Sequence, residues 1–240
     1  MNNHYNKYLK YKNKYLKLKL QLDNIQLGGN NEYIIKLKQL YPECLHDNVI
    51  IKDIETYKEN GYSITYGEMD YPAIEKFNEL FNSRGEMKYF IDFGSGRGKL
   101  PLFMADKVNK SIGIELVTER NEYGIKLKND LSNEFSSITC KVELIAGDMF
   151  EYLNNINKLT FDSPVLIWIS NLCFDEELTT KLFNELVNKM PSGTIIGSSK
   201  IPDLIPKGII PIVKEGIIDN KVVVPMSWSK SSNIFIYQIE

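Results

Sequence analysis

Between Asp92 and Lys99 the chain reads D-F-G-S-G-R-G-K, an acid followed by three glycines, Gly94, Gly96 and Gly98, at alternate positions. The run follows the apolar stretch Lys88 to Phe93 and precedes a helix-periodic stretch beginning at Lys99. A strand, a glycine turn and a helix start in that order form a ligand cradle, because glycine lets a ligand approach the main chain closely. A tight turn with no ligand would account for one or two of the glycines. A dinucleotide fingerprint wants its third glycine where Lys99 stands, and a phosphate loop wants a hydroxyl after G-K, where Leu100 stands. An aspartate leading into the turn suits a zwitterion instead, with Asp92 balancing an ammonium. S-adenosylmethionine is a ligand of that kind.

Three further positions fit the same ligand. Glu115 lies 17 residues after Gly98, at the end of the next apolar run, where an acid accepts hydrogen bonds from both ribose hydroxyls. Asp148, in A-G-D-M-F, ends the third run and is placed to receive an adenine amine, with Met149 or Phe150 on the ring face. Taken alone, each is also an ordinary strand-end or turn acid. Ser170 and Asn171 stand at the mouth of the fourth apolar run, where an oxygen would hold an acceptor nitrogen; their plain reading is strand termination. Asp175, followed by Glu176 and Glu177, reads as a helix N-cap and first turn.

The elements that must position these residues alternate. The apolar runs 88–93, 111–116, 141–147, 164–170 and 193–199 read as strands, mostly separated by helical patterns of ten residues or more. Such alternation predicts an α/β fold with a mostly parallel sheet covered by helices on both faces. The last runs, near 208–218, 221–228 and 233–239, follow one another with only turn residues between them, which predicts an antiparallel hairpin at the sheet edge. Residues 32–41 and 73–81 have helical spacing, and the irregular stretch between them carries S-I-T-Y-G-E-M-D-Y-P.

The predicted organisation is therefore a basic arm at 1–29, a helical region at 30–86 and an α/β core at 87–240. In the arm, Tyr8, Tyr11, Tyr15, Leu18, Leu22 and Ile25 form one helical stripe among six lysines, with no acid up to residue 22. Outside those lysines, 23 basic residues face 31 acidic ones, so a basic arm is joined to an acidic body at a Gly28-Gly29 hinge. Such an arm is either a solvated helix or a contact for nucleic acid. Three scattered cysteines and two histidines argue against a disulfide framework, a zinc site and histidine-centred catalysis. No run approaches a membrane span and the start lacks a signal-peptide pattern, which predicts an intracellular protein.

Together these residues resemble the non-SET histone-lysine methyltransferases of Dot-one (disruptor of telomeric silencing) type, from about residue 62 to the C-terminus. T-Y-G-E at 65–68 is similar to that family's cofactor loop, and D-F-G-S-G-R-G-K to its first motif. The segment from Ser170 to Lys200 is similar to its fourth-strand region, and S-W-S at 227–229 to its last segment. The resemblance implies a class I methyltransferase (Rossmann-like) fold with S-adenosylmethionine as cofactor. Tyr66, Gly67, Glu68 and Met69 would bracket the methionine moiety. Phe90, Ile91, Asp92, Phe93, Gly94, Ser95, Gly96, Arg97, Gly98 and Lys99 would wrap the cofactor. Glu115 would hold the ribose, and Asp148 with Met149 the adenine. Ser170, Asn171, Trp228 and Phe235 would form the acceptor site. The sequence departs from the family at Met69 (threonine), Met149 (phenylalanine), Ser170 (asparagine) and Phe235 (tyrosine).

The implied partner is a protein substrate, histone or nucleosome, with nucleic-acid contact through the arm and no membrane. The leader resembles that of large-DNA-virus proteins, which implies the nucleus or cytoplasm of a host cell. Two other readings stay open: a class I methyltransferase acting on nucleic acid or a small molecule, and a non-catalytic cofactor-binding module.

Overall fold

The computed structural model describes residues 31–42, 49–52, 54–59, 63–82, 87–212 and 220–240. The arm lies outside the described residues. Helices α1 (Asn31–Leu40), α2 (Ile54–Glu59) and α3 (Tyr71–Asn82) come first. The alternating section follows as β1 (Tyr89–Phe93), α4 (Lys99–Met104), β2 (Lys110–Glu115), α5 (Thr118–Thr139), β3 (Val142–Ala146), α6 (Met149–Asn154), β4 (Val165–Ile169), α7 (Glu176–Lys189) and β5 (Ile195–Ser198). The chain ends with β6 (Ile209–Pro211), β7 (Lys221–Met226) and β8 (Ser229–Ile239).

The eight strands form one sheet in the order β3-β2-β1-β4-β5-β8-β6, with β7 also paired to β8. Strands β1 to β5 run parallel, and β8 is antiparallel to β5, β6 and β7. The order reverses between β1 and β4, so a crevice opens at the carboxyl ends of these strands, where open α/β sheets bind ligands. The residues singled out in the sequence gather there because each follows or ends one of these strands.

Alternation along the strands splits the core in two. Phe90, Trp168, Ile234 and Ile236 face a cluster with α1, α3, α4 and α5. Ile91, Phe93, Ile167, Ile169 and Tyr237 face a second cluster with α6 and α7. Both faces are dry, which is why the strands read as unbroken apolar runs rather than as polar-apolar alternation. The expected edge hairpin is β7–β8, and β8 is longer than its apolar run because its first residues pair with β7 beyond the sheet body. The expected strand near 208–218 is short: β6 covers three residues, and 213–219 lie outside the described residues.

Helices α1 and α3 pack into the first core cluster rather than standing apart, whereas α2 buries no residue. Tyr33 Oη donates to the carbonyl of Leu102 at 2.7 Å and Tyr71 Oη to that of Tyr41 at 2.8 Å. An ion pair from Lys38 to Glu75, at 2.7 Å, joins α1 to α3. Among the described residues no helix is long and apolar enough to cross a membrane.

Candidate active site

The glycine turn is built as its spacing implies. Gly94, Gly96 and Gly98 all have left-handed backbones, with φ of 84°, 55° and 75°. At Gly96 the reason goes beyond φ: a Cβ there would stand 2.8 Å from Cε2 of Tyr66. Only a bare backbone lets the T-Y-G-E loop sit on the turn. Gly98 then begins α4, and the amides of Gly94 and Ser95 bond to the carbonyl of Ile114 on β2, at 2.9 and 3.0 Å.

A cavity of about 500 Å³ opens along this crevice, within the range of small-molecule sites. It is lined by Tyr66, Gly67, Gly94, Gly96, Glu115, Gly147, Asp148, Met149 and Ser170, among others. A smaller pocket of about 30 Å³ continues it, sharing Tyr66, Gly67, Gly94, Gly96 and Ser170 and adding Glu68, Met69, Asp92, Ser95, Lys99 and Trp168. Glu115 Oε2 accepts from the amide of Gly96 at 2.7 Å and Oε1 from that of Val117 at 2.9 Å, so β2 presents a fixed carboxylate. Asp148 caps α6, with Oδ1 accepting from the amide of Phe150 at 2.6 Å.

The small pocket is lined by buried ionisable side chains among apolar ones. Asp92 is 3% exposed, and its Oδ1 has no hydrogen-bond partner among the described residues; the same holds for Glu68 Oε1 and Ser95 Oγ. Burial, and then the nearby charge of Glu115, pushes the Asp92 carboxyl well above the usual carboxylate range. Lys99, also 3% exposed, pairs with Glu68 Oε2 at 2.9 Å. A pocket with two buried carboxyl groups and one amine, and with carboxyl oxygens lacking a hydrogen-bond partner among the described residues, favours a ligand bearing an ammonium. Its neighbour cavity offers the Glu115 carboxylate for hydroxyls and, between α6 and α7, a recess lined by Asp148, Met149, Phe174 and Leu178. The site fits S-adenosylmethionine.

The T-Y-G-E loop is held from several sides. The guanidinium carbons of Arg97 and Arg120 lie 5.1 and 4.9 Å from the Tyr66 ring centroid. Glu68 and Ser227 are joined by two hydrogen bonds, the carbonyl of Glu68 accepting from the amide of Ser227 at 2.9 Å and the amide of Glu68 donating to the side-chain Oγ of Ser227 at 3.0 Å. Met69 bridges to Met226. Trp228 lies on Gly67 so closely that a Cβ there would be 2.5 Å from the indole.

Several expected residues have other positions. Phe90, Ile91 and Phe93 are buried in the two core clusters and line neither cavity; they hold β1 in place beneath the turn. Arg97 and Gly98 also stay out of the lining; Arg97 is buried between the Tyr66 and Tyr123 rings. Asn171 is fully buried and committed: Oδ1 accepts from the amides of Ser199 and Lys200, both at 3.0 Å, and Nδ2 donates to the carbonyl of Lys200 at 2.9 Å. It ties the end of β4 to the end of β5 and lines neither cavity. Phe235 is not brought to the cavity either. It pairs with Ser198, and strand alternation points it to the α7 side, opposite Asp92 and Trp168. Trp228 lines neither cavity and lies against Gly67. Ser170 alone of the four proposed acceptor residues lines both cavities.

Reasoning from sequence also missed residues. Arg120 lines the cavity, donates to the carbonyl of Ile64 at 2.7 Å and flanks Tyr66. Phe174, Leu178 and Lys181 form the wall opposite Met149, with Lys181 Nζ 4.2 Å from the Phe150 ring centroid. Their positions soon after β4 were the available signal.

The sheet order and the crevice define a class I S-adenosylmethionine-dependent methyltransferase fold. Solved structures with the same fold include an O-methyltransferase from Bacillus cereus in complex with SAH (TM-score 0.55, 10% identity, covering 86% of this chain and 91% of that one). Another is the O-methyltransferase TomG from Streptomyces achromogenes in complex with SAM (TM-score 0.52, 10% identity, covering 86% and 96%). The family described as "Histone methylation protein DOT1" matches residues 46–211, and the chain belongs to it. A Caenorhabditis elegans relative, "Histone-lysine N-methyltransferase, H3 lysine-79 specific", is 29% identical over 154 residues, which is 62% of this chain. The chain spans 16% of that relative's length.

Proposed function

We propose that this chain is a protein-lysine N-methyltransferase acting on a histone or histone-like substrate, within the nucleus or another intracellular compartment. The observation that carries the reading is the buried pocket where the T-Y-G-E loop meets the glycine turn and opens on Ser170. When bound, S-adenosylmethionine supplies a methyl group on a sulfonium sulfur. Asp92 takes its ammonium, Glu115 its ribose hydroxyls, and Asp148 with Met149 its adenine. Ser170, through its hydroxyl or carbonyl oxygen, orients the acceptor amine. Tyr66 and Gly67 form the wall between the two cavities and keep water from the reacting end. A lysine of pKa about 10.4 must be neutral to attack, and a dry pocket favours the neutral form. Alignment then supplies most of the rate. The lysines of the arm bind phosphates of a nucleic-acid-bearing substrate such as a nucleosome.

A second reading, transfer to another nitrogen or an oxygen, is favoured by the commitment of Asn171 and the position of Phe235, which leave Ser170 as the acceptor-side polar residue of the proposed set. Incubation with labelled S-adenosylmethionine and separate pools of nucleosomes, free histones, DNA and RNA separates the two. Label in histone lysine is expected. Label only in nucleic acid refutes the first reading, and tight cofactor binding with no transfer to any pool marks a non-catalytic module.

A further inference from the structure

Tyr41 stands just past α1, outside the stretch 46–211 matched by the family, and among the described residues none of its neighbours in sequence lines the cavities. Its side chain is fully buried, and its hydroxyl lies 2.9 Å from that of Tyr66 and 3.0 Å from Glu68 Oε2. Its ring faces Lys99 Nζ at 5.4 Å, and its carbonyl accepts from Tyr71. One side chain thus touches three groups that line the small pocket.

Proton counting gives these contacts a direction. Glu68 Oε2, which also pairs with Lys99 Nζ, is on the accepting side of its contact with Tyr41. The Tyr41 hydroxyl therefore donates to Glu68, and with its single proton used it accepts from Tyr66. Burial, with Tyr66 and Glu68 beside it, drives the Tyr41 hydroxyl far above the ordinary tyrosine range, so it keeps that proton. The chain Tyr66 to Tyr41 to Glu68 is polarised in one sense and ends on the Lys99 ammonium.

We infer that Tyr41 is a positioning residue for methyl transfer. It holds the Tyr66 ring over the glycine turn through the hydroxyl–hydroxyl contact and anchors Glu68, so that the loop stays closed over the turn. The inference rests on the cofactor site proposed above.

The test compares Y41F with Y33F. Y41F removes only the hydroxyl and keeps the ring in its packing. Y33F removes a buried hydrogen bond of the same helical region, to Leu102, that does not touch the loop. Calorimetric titration with S-adenosylhomocysteine is expected to show Y41F weakened about tenfold, the value of a buried hydrogen-bond pair, and Y33F unchanged. In the transfer assay the Y41F loss falls on KM for the cofactor, with kcat held within about threefold. Wild-type affinity in Y41F, or an equal loss in Y33F, overturns the inference and leaves the cofactor site intact. Failure of the wild type to bind refutes the cofactor site itself, and this role falls with it.

Discussion

Asp92 carries the most exposed physical claim, that a buried carboxylate whose Oδ1 has no hydrogen-bond partner among the described residues is kept for a cationic ligand. D92N removes the charge and keeps the shape. A charge-assisted hydrogen bond in a buried site contributes about 1.5–3 kcal/mol, and each 1.4 kcal/mol is about tenfold. The expected loss of S-adenosylhomocysteine affinity is therefore roughly 10- to 150-fold. The apo protein should move the other way. Asp92 is raised in the folded state by burial and by Glu115, so between its unfolded and folded pKa the native state holds a proton that the unfolded chain has lost. Stability then falls as pH rises through that window, from about 4 upward. D92N abolishes this slope and leaves the apo midpoint equal or higher above it.

Binding has the opposite sign. The ammonium of the ligand favours the carboxylate, so wild-type affinity increases as pH rises through the apo pKa of Asp92 and then levels, while D92N shows no such rise. Calorimetric titrations and thermal unfolding across pH 4–8, on both proteins, read all of these effects. Wild-type affinity in D92N refutes the ammonium assignment. A large fall in the apo midpoint would instead make Asp92 a structural residue.

The glycine turn gives a second test: G96A forces a left-handed alanine against Tyr66, with an expected cost of about 1–2 kcal/mol, and should lose the thermal shift that S-adenosylhomocysteine confers on the wild type. Equal shifts in both proteins would contradict the placement of the loop. N171A strands three backbone groups at the ends of β4 and β5 and should destabilise by roughly 3 kcal/mol, a midpoint drop of about 6–12 °C, with ligand affinity almost unchanged; an unaltered midpoint would disprove the clamp. Deletion of residues 1–29 should leave cofactor affinity alone while flattening the salt dependence of nucleosome binding, by up to about five in the log-log slope for six lysines. An identical slope would remove the arm from substrate binding.

The fold was legible because the chemistry of the strands is one-dimensional. Runs such as Phe90 to Phe93 and Val165 to Ile169 must be strands buried on both faces, and acids that follow them must meet at the carboxyl edge. The same property hid the fate of Phe235. In a sheet dry on both sides, alternation has no polarity, so N-I-F-I-Y-Q-I does not say which face Phe235 takes. The register of β8 against β5 decides it. Asn171 failed for a related reason: an asparagine at a strand end is typed for hydrogen bonding, but its partners at Ser199 and Lys200 lie 28 and 29 residues on. Tyr41 had no local signal at all, since its meaning arises from Tyr66 and Glu68, 25 and 27 residues away.

The distribution of fixed contacts bears on how the acceptor is chosen. Tyr66 is set by Gly96 below it, two guanidinium groups beside it and Tyr41 at its hydroxyl, while Glu68 is fixed by Lys99, Tyr41 and Ser227. A loop held this way is ordered before the cofactor arrives, so binding loses little conformational entropy there, and a small displacement of any support acts directly on the reacting end. On the acceptor side Asn171 serves the sheet and Phe235 the opposite face, leaving Ser170 as the proposed residue in contact with both cavities. One hydroxyl and one carbonyl can orient an amine but select weakly among amines. Discrimination between substrates must then come from surfaces farther out. The exposed Leu172 in the loop after β4 and the exposed Leu204 and Ile205 in the loop after β5 follow the carboxyl ends of their strands, as Ser170 does. Exchanging these three for serine should raise KM for a protein substrate while leaving cofactor affinity as it was; an unchanged KM would return the choice of acceptor to the pocket itself.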